Sequence, residues 1–275
     1  MKASLIALLI LVLHLLSRPM AAQQVWYVGI HMGTGYYQLH NENDWKADPL
    51  LIYPVQSRKD NWRVGATTTY TWDSHLGVSS GLLLSKDRQE FRSQKDPASP
   101  DPLERYSITD EFQYLKLPLN IQYSTHNEAK HQLVVGAGLQ SAFLMDYREH
   151  FLQRSSGFYS ESEVHNKVNK DLDSPGNPDG TYSAFLYKRL LLGLSGTIGY
   201  RLKCYNGWLV EAGLRGEYDL TNAENRKAKV VETGKYWWTS GIKRYGYGGE
   251  IENRPKTHNR AIGLFMSVSI PVDIR

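Results

Sequence analysis

The sequence predicts an all-β fold: an eight-stranded antiparallel up-and-down barrel that carries its apolar face outward. Three observations predict it. Segments recur in which every second residue is apolar. The links between them alternate strictly between short and long, and aromatic residues on the apolar face stand ten positions apart in three of the segments.

Composition sets the outer limits. Of the 275 residues, 41% are hydrophobic and 22% charged, too polar for a bundle of membrane helices and too apolar for a disordered chain. A single Cys excludes a disulfide scaffold and any Cys-based zinc module. The net charge of +4, without a Lys/Arg block, gives no footprint for nucleic acid. Residues 1–22 differ from the rest: Lys2 precedes an apolar stretch over 3–16, Ser17, Arg18 and Pro19 break it, and Ala21 and Ala22 suit cleavage. A run of ~14 apolar residues falls short of the ~20 that a spanning helix needs. We therefore expect a secretory signal peptide over 1–22 and an exported barrel domain over 23–275, with no Cys at the cleavage position to make a lipoprotein.

Each strand follows from its period of two. The first, near 26–37, sets Trp26, Val28, Ile30, Met32 and Tyr36 against Gly29, His31, Gly33 and Gly35. The second, near 61–72, sets Trp62, Val64, Ala66, Tyr70 and Trp72 against Arg63, Gly65 and threonines. The third (76–86) opposes Leu76, Val78, Leu82 and Leu84 to Gly77, Ser79, Gly81 and Ser85, and the fourth opposes Leu115, Leu117, Leu119, Ile121 and Tyr123 to Tyr114, Lys116, Asn120 and Gln122. In the fifth (132–145), Leu133, Val135, Leu139, Phe143 and Met145 face away from Gly136, Gly138 and Gln140; in the sixth, Leu190, Leu192, Leu194, Ile198 and Tyr200 face away from Arg189, Ser195, Thr197 and Arg201. The seventh alternates Trp208, Val210, Ala212, Leu214, Tyr218 and Leu220 with Glu211, Gly213, Arg215, Glu217 and Asp219. The eighth keeps Ile262, Leu264, Met266, Val268, Ile270, Val272 and Ile274 in one register.

Short turns near 73–75, 125–130 and 204–207 join strands two to three, four to five and six to seven, and Asn206-Gly207 is a strong hairpin signal. The remaining links, roughly 39–60, 87–112, 147–183 and 221–258, are long. All long links thus lie at one end and both termini lie with the turns at the other, the plan of a bacterial outer-membrane barrel with periplasmic turns and extracellular loops. The aromatic spacing agrees. Trp26 and Tyr36, Trp62 and Trp72, and Trp208 and Tyr218 are each ten residues apart, and ten residues at ~3.3 Å, tilted by ~40°, rise ~25 Å, the height of the apolar band. Trp26, Trp72, Tyr123, Tyr200 and Trp208 are expected at the periplasmic interface and Tyr36, Trp62 and Tyr218 at the outer one, with Gln113 in place of an upper aromatic in strand four.

A soluble lipocalin-like barrel would turn the same apolar face inward. The opposite face decides against it: Gly, Ser and Thr suit a crowded interior, and Arg63, Lys116, Arg189, Arg201, Glu211, Arg215 and Glu217 carry both signs and are expected to pair across the lumen.

The run YLKLPLNIQY at 114–123, VGIHMG at 28–33 and VGAGL at 135–139 resemble the PorT-like outer-membrane β-barrel family of Gram-negative bacteria, over nearly all of the chain after the signal. The resemblance implies an outer-membrane location and eight strands and says little of activity; PorT itself is linked to a protein-secretion and gliding apparatus. Pro118 matches the family's proline and is expected at a bulge. The terminal Ile274-Arg275 lacks the terminal aromatic that many outer-membrane proteins use as an assembly signal, so strand eight is expected to serve assembly by its alternation.

Function is expected to lie outside the lumen. Eight strands leave room for side chains only, and Glu211, Arg215 and Glu217, on one strand face, are expected to form a salt-bridge plug. His31 is expected to fill the lumen, hydrogen-bonded to the charges, while His40, His150 and His165 fall on or near long links with no assignable partner for catalysis. Asp171, Asp173, Asn177 and Asp179 resemble a calcium loop in which Pro175 and Tyr182 replace ligands, so neither a metal nor another cofactor is expected. Residues 229–247 pair most simply as an extracellular hairpin; crossing the membrane they would make ten strands. Tyr236, Trp237, Trp238, Lys243, Arg244, Tyr245 and Tyr247 form an aromatic and basic mixture suited to sugars and phosphates. The expectation is a non-enzymatic structural or binding protein whose partners are outer-membrane lipids, lipopolysaccharide or an envelope or secretion-machinery protein. A lipid-modifying enzyme and a soluble ligand-binding barrel are the alternatives.

Overall fold

The computed structural model describes residues 25–41, 54–72, 75–93, 105–125, 129–155, 158–167, 187–223 and 257–272. They form β1 (Val25–Asn41), β2 (Pro54–Thr71), β3 (Leu76–Ser93), β4 (Arg105–Ser124), β5 (His131–Ser155), β6 (Phe158–Lys167), β7 (Leu190–Lys203), β8 (Leu209–Asp219) and β9 (Thr257–Val272). All pairings are antiparallel, in the order β4-β3-β2-β1-β9-β8-β7-β5, and β4 pairs with β5 to close the ring at eight positions. Closure satisfies the inter-strand hydrogen bonds that hydrocarbon cannot.

The ninth strand shares a position. The lower half of β5 pairs with β7 from His131↔Leu202 to Phe143↔Leu190, and its upper half pairs with β6 from Asp146↔Lys167 to Ser155↔Phe158. Since β4 occupies the other side of β5 throughout, β6 stands above β7 in the same place in the wall. β8 pairs directly with β9 from Leu209↔Ser269 to Tyr218↔Arg260. The ring of described strands thus closes at eight positions and not ten; residues 229–247 lie outside the described residues.

The alternation sorts the side chains as a bilayer requires. Ile30, Leu139 and Leu264 are each 61% exposed on the outer face, whereas Leu83 and Val134 on the inner face are 0% exposed. The outward aromatic residues take two heights along the wall. At the turn end Trp26 packs on Tyr70 with ring centroids 4.8 Å apart, Tyr70 on Trp72 at 6.4 Å and Tyr123 on His75 at 5.6 Å. Tyr200 hydrogen-bonds His131, and Trp208 is 45% exposed beside the Cys204–Gly207 turn. At the other end Tyr36 and Trp62 are 46% and 44% exposed, and Tyr218 lies between the His258 ring at 5.5 Å and the Arg260 guanidinium at 5.4 Å.

The strands run further than their apolar stripe. β2 to β5 have 18, 18, 20 and 25 residues and continue into the predicted long links at 39–60, 87–112 and 147–183. The reason is solvent: beyond the bilayer both faces are polar, as in Arg88-Gln89-Glu90, so alternation disappears while the hydrogen-bonded ladder persists. His40, His150 and His165 therefore lie on β1, β5 and β6 rather than on loops.

Pro118 makes no bulge. The β3–β4 register is the same on both sides of it, Ser80↔Leu119 and Leu83↔Lys116, but the ladder is open between them, and Ser80 Oγ donates to the Pro118 carbonyl at 3.0 Å. The bulges fall elsewhere. Tyr114 pairs with Leu144 and Gln113 with Asp146, so Met145 is an extra residue in β5 and the inward parity changes from Leu144 to Tyr147. At the Asn206-Gly207 turn, Gly207 takes φ 82°, its N–H donates to the Cys204 carbonyl at 2.9 Å, and Asn206 Oδ1 accepts from the Trp208 N–H at 3.2 Å.

Close strand approach fixes several glycines inside the wall, Gly138 with the shortest contact. A Cβ on Gly138 would lie 1.9 Å from the Leu119 carbonyl oxygen and 2.6 Å from the Asn120 Cα, backbone that cannot yield without moving β4. On Gly216 it would meet nothing within 4 Å. Gly138→Val is therefore expected to destabilise the refolded protein by about 3 kcal/mol, and Gly216→Ala to change it by about 0.5 kcal/mol or less. Urea unfolding in micelles, followed by tryptophan fluorescence, measures both.

Candidate functional site in the barrel lumen

The inward faces of the wall strands converge on Glu217 of β8. Its Oε1 accepts from Arg63 Nη1 and from Arg215 Nε at 2.7 Å; its Oε2 accepts from Lys116 Nζ at 2.8 Å and from Gln140 Nε2 at 3.2 Å. Four donors occupy the four acceptor positions of one carboxylate, so Glu217 is saturated. Arg215 Nη2 also donates to Gln140 Oε1 at 2.7 Å, and Lys116 Nζ lies 3.2 Å from Asp87 Oδ2. The side chains of Arg63, Lys116 and Glu217 are 0%, 6% and 5% exposed. β2, β3, β4, β5 and β8 are thereby tied across the lumen.

A second pair lies nearer the turns. Arg201 and Glu211 are partners across β7 and β8; Arg201 Nε donates to Glu211 Oε2 at 2.8 Å and its Nη2 donates to Gln122 Oε1 at 3.0 Å. Ser195 Oγ donates to Asn120 Oδ1 at 2.6 Å, joining β7 to β4. Six of the seven predicted lumen charges are therefore brought into two groups. Arg189 is not: it precedes β7, exposed, where its carbonyl accepts from the Leu144 N–H at 2.7 Å. Sequence reasoning missed Asp87, which fell inside a predicted loop, and Gln140, whose inward position was legible but uncharged.

His31 departs from its expected role as well. It is 5% exposed and stacks on Phe265 with ring centroids 5.3 Å apart, and its Nε2 has no protein hydrogen-bond partner.

Above the hub the lumen is closed by aromatic side chains. Phe112 is 0% exposed, with its ring 4.8 Å from Tyr187, 5.0 Å from Tyr147, 6.0 Å from Tyr114 and 6.2 Å from Tyr37. Each hydroxyl that the cluster buries is matched where the geometry allows: Tyr37 donates to Asn259 Oδ1 at 2.8 Å, Asn259 Nδ2 donates to the Tyr114 hydroxyl at 3.4 Å, and Tyr147 donates to Asp110 Oδ1 at 3.0 Å. Strict alternation would have placed Tyr147 outside; the Met145 bulge brings it in. The patch at Tyr236, Trp237, Trp238, Lys243, Arg244, Tyr245 and Tyr247, the calcium-like run at 171–182 and residues 1–22 lie outside the described residues.

A closed antiparallel ring with apolar side chains outside and ion pairs within is an integral membrane β-barrel. Residues 21–223 match the family described as "Outer membrane protein beta-barrel domain", and the chain belongs to it. The protein is located in the outer membrane. Among solved structures the chain is similar to the outer membrane protein OprG from Pseudomonas aeruginosa, at 12% identity over 93% of this chain and 98% of that one with a TM-score of 0.40. It is also similar to Neisserial surface protein A, at 9% identity over 90% and 100% with a TM-score of 0.37. A third is Ail of Yersinia pestis in complex with the heparin analogue sucrose octasulfate, at 11% identity over 88% and 98% with a TM-score of 0.34. No curated protein matches.

Removing the Glu217 charge leaves three buried cations with one carboxylate, Asp87 on Lys116, and strips Arg63 and Arg215 of their anionic partner. Glu217→Gln is expected to destabilise the barrel by about 3–5 kcal/mol, whereas Arg189→Ala, outside the hub, shifts it by about 0.5 kcal/mol or less. The urea midpoint of each variant in micelles is the measurement.

Proposed function

We propose that the protein is a non-enzymatic outer-membrane barrel that acts by display, binding a ligand or partner through its extracellular links. The observation that supports this reading is that the lumen is filled at two levels, by the Glu217 hub and by the Phe112 cluster, both built from side chains less than a tenth exposed. A wall so braced is a rigid platform, and on such a platform binding chemistry is carried by the links between strands.

The partner chemistry follows from the last link. Tyr236, Trp237, Trp238, Tyr245 and Tyr247 offer aromatic faces for sugars, and Lys243 and Arg244 offer charge to phosphates, a combination that suits lipopolysaccharide. The PorT-like run at 114–123 adds an envelope or secretion-machinery protein as the second kind of partner.

Replacing Trp237, Trp238, Lys243 and Arg244 together by Ala is expected to weaken binding of purified lipopolysaccharide by about tenfold or more, with the urea midpoint unchanged. Unaltered binding would remove lipopolysaccharide as the partner. Mass spectrometry of lipid A tests the class itself: identical lipid A with and without the protein is expected, and a modification that disappears in His150→Ala would replace display by lipid-modifying catalysis.

A further inference from the structure

On the turn side of the hub the lumen encloses a cavity of about 50 Å³, lined by His31, Thr67, Asn120, Thr197, Arg201 and Ser267 among others. Two of its polar atoms, His31 Nε2 and Thr197 Oγ1, have no protein partner, although His31 is 5% exposed. They come from opposite parts of the wall, β1 and β7, so the space between them is polar from both sides. The charges that border it are already matched: Arg201 with Glu211, and Arg215 with Glu217 and Gln140. A site whose charges are satisfied and whose neutral donors and acceptors are not calls for a small molecule that both donates and accepts. Water meets this, and at roughly 10–15 Å³ each the cavity holds about four.

The cavity has a direction. At its turn-side end Thr69, Gln122 and Ser269 are only half-buried, while Arg63, Lys116 and Arg215 at its top are 1%, 5% and 3% exposed. We propose that the periplasmic half of the lumen is a water-filled chamber, entered from the periplasm and stopped at the Glu217 hub. The barrel is then a one-sided half-channel, wet to mid-height from within the cell and sealed from outside.

The chain's single thiol makes this testable. In a Cys204→Ser background, Thr197→Cys and Ser267→Cys place a thiol in the chamber, and Asn61→Cys, on the far side of Arg63, places one beyond the hub. Each full-length variant is reconstituted in oriented proteoliposomes and exposed to silver ion, a thiol-binding probe close to water in size, from one face at a time. Protection against later maleimide labelling in urea is the readout. The chamber thiols are expected to be protected from the periplasmic face at least about tenfold faster than from the outer face, and the thiol at position 61 not to be reached from the periplasmic face. Chamber thiols that label fully after periplasmic silver treatment, or that are protected equally from both faces, would overturn the proposal. So would silver passing the hub to position 61. Two chamber variants keep the result decisive if circular dichroism shows that one has not folded.

Discussion

In hydrocarbon no water is present to hydrogen-bond a strand's N–H and C=O groups, so a β-structure crosses a membrane only as a closed ring. Everything else in this barrel depends on that closure. It is made by β4 on β5 and by β1 between β2 and β9, and it forces each strand to give one face to lipid and the other to a lumen only as wide as eight strands allow. Even the weakest point follows from it: Pro118 lacks a ladder donor, and the Ser80 hydroxyl supplies its carbonyl with a partner instead.

A narrow lumen makes the charges inside it interdependent. A buried ion stripped of one partner is costly, whereas a saturated one is tolerated. Glu217 is saturated by groups from three other strands and by Arg215 of its own, and this makes it a brace between strands far apart in sequence, Arg63 being 154 residues away. The Phe112 cluster closes the same space by apolar burial, with Tyr37, Tyr114 and Tyr147 each hydrogen-bonded at the rim. Ion pairs below and aromatics above leave the barrel stiff and unperforated, and they move the search for partner chemistry to its outer links and its periplasmic chamber.

The membrane-embedded wall was legible in the sequence because the bilayer writes itself there: lipid demands an apolar residue at every second position, and a narrow interior demands Gly, Ser and paired charges opposite. Trp26, Ile30, Leu139 and Leu264 face outward and Arg63, Lys116 and Glu217 inward, on the faces that alternation assigns them. What was not legible lies where that demand stops. Above the bilayer the strands continue with both faces polar, so Asp87 and Phe112 sit in wall strands although they fall within a stretch without alternation. A single inserted residue, Met145, turns Tyr147 inward against its parity. That His31 Nε2 and Thr197 Oγ1 lack protein partners is not legible either, because an unmatched hydrogen-bonding atom is a property of three-dimensional packing, which no spacing reports.

The most direct test of the account is the gel mobility of the protein from a washed outer-membrane fraction, loaded with and without boiling in SDS. A closed, lipid-facing ring keeps its hydrogen bonds in cold detergent, so the unboiled protein is predicted to migrate as a compact, faster species and to shift to its full apparent mass on boiling. A protein that leaves the membrane in carbonate and migrates identically in both lanes would contradict closure in the membrane and turn the apolar face inward.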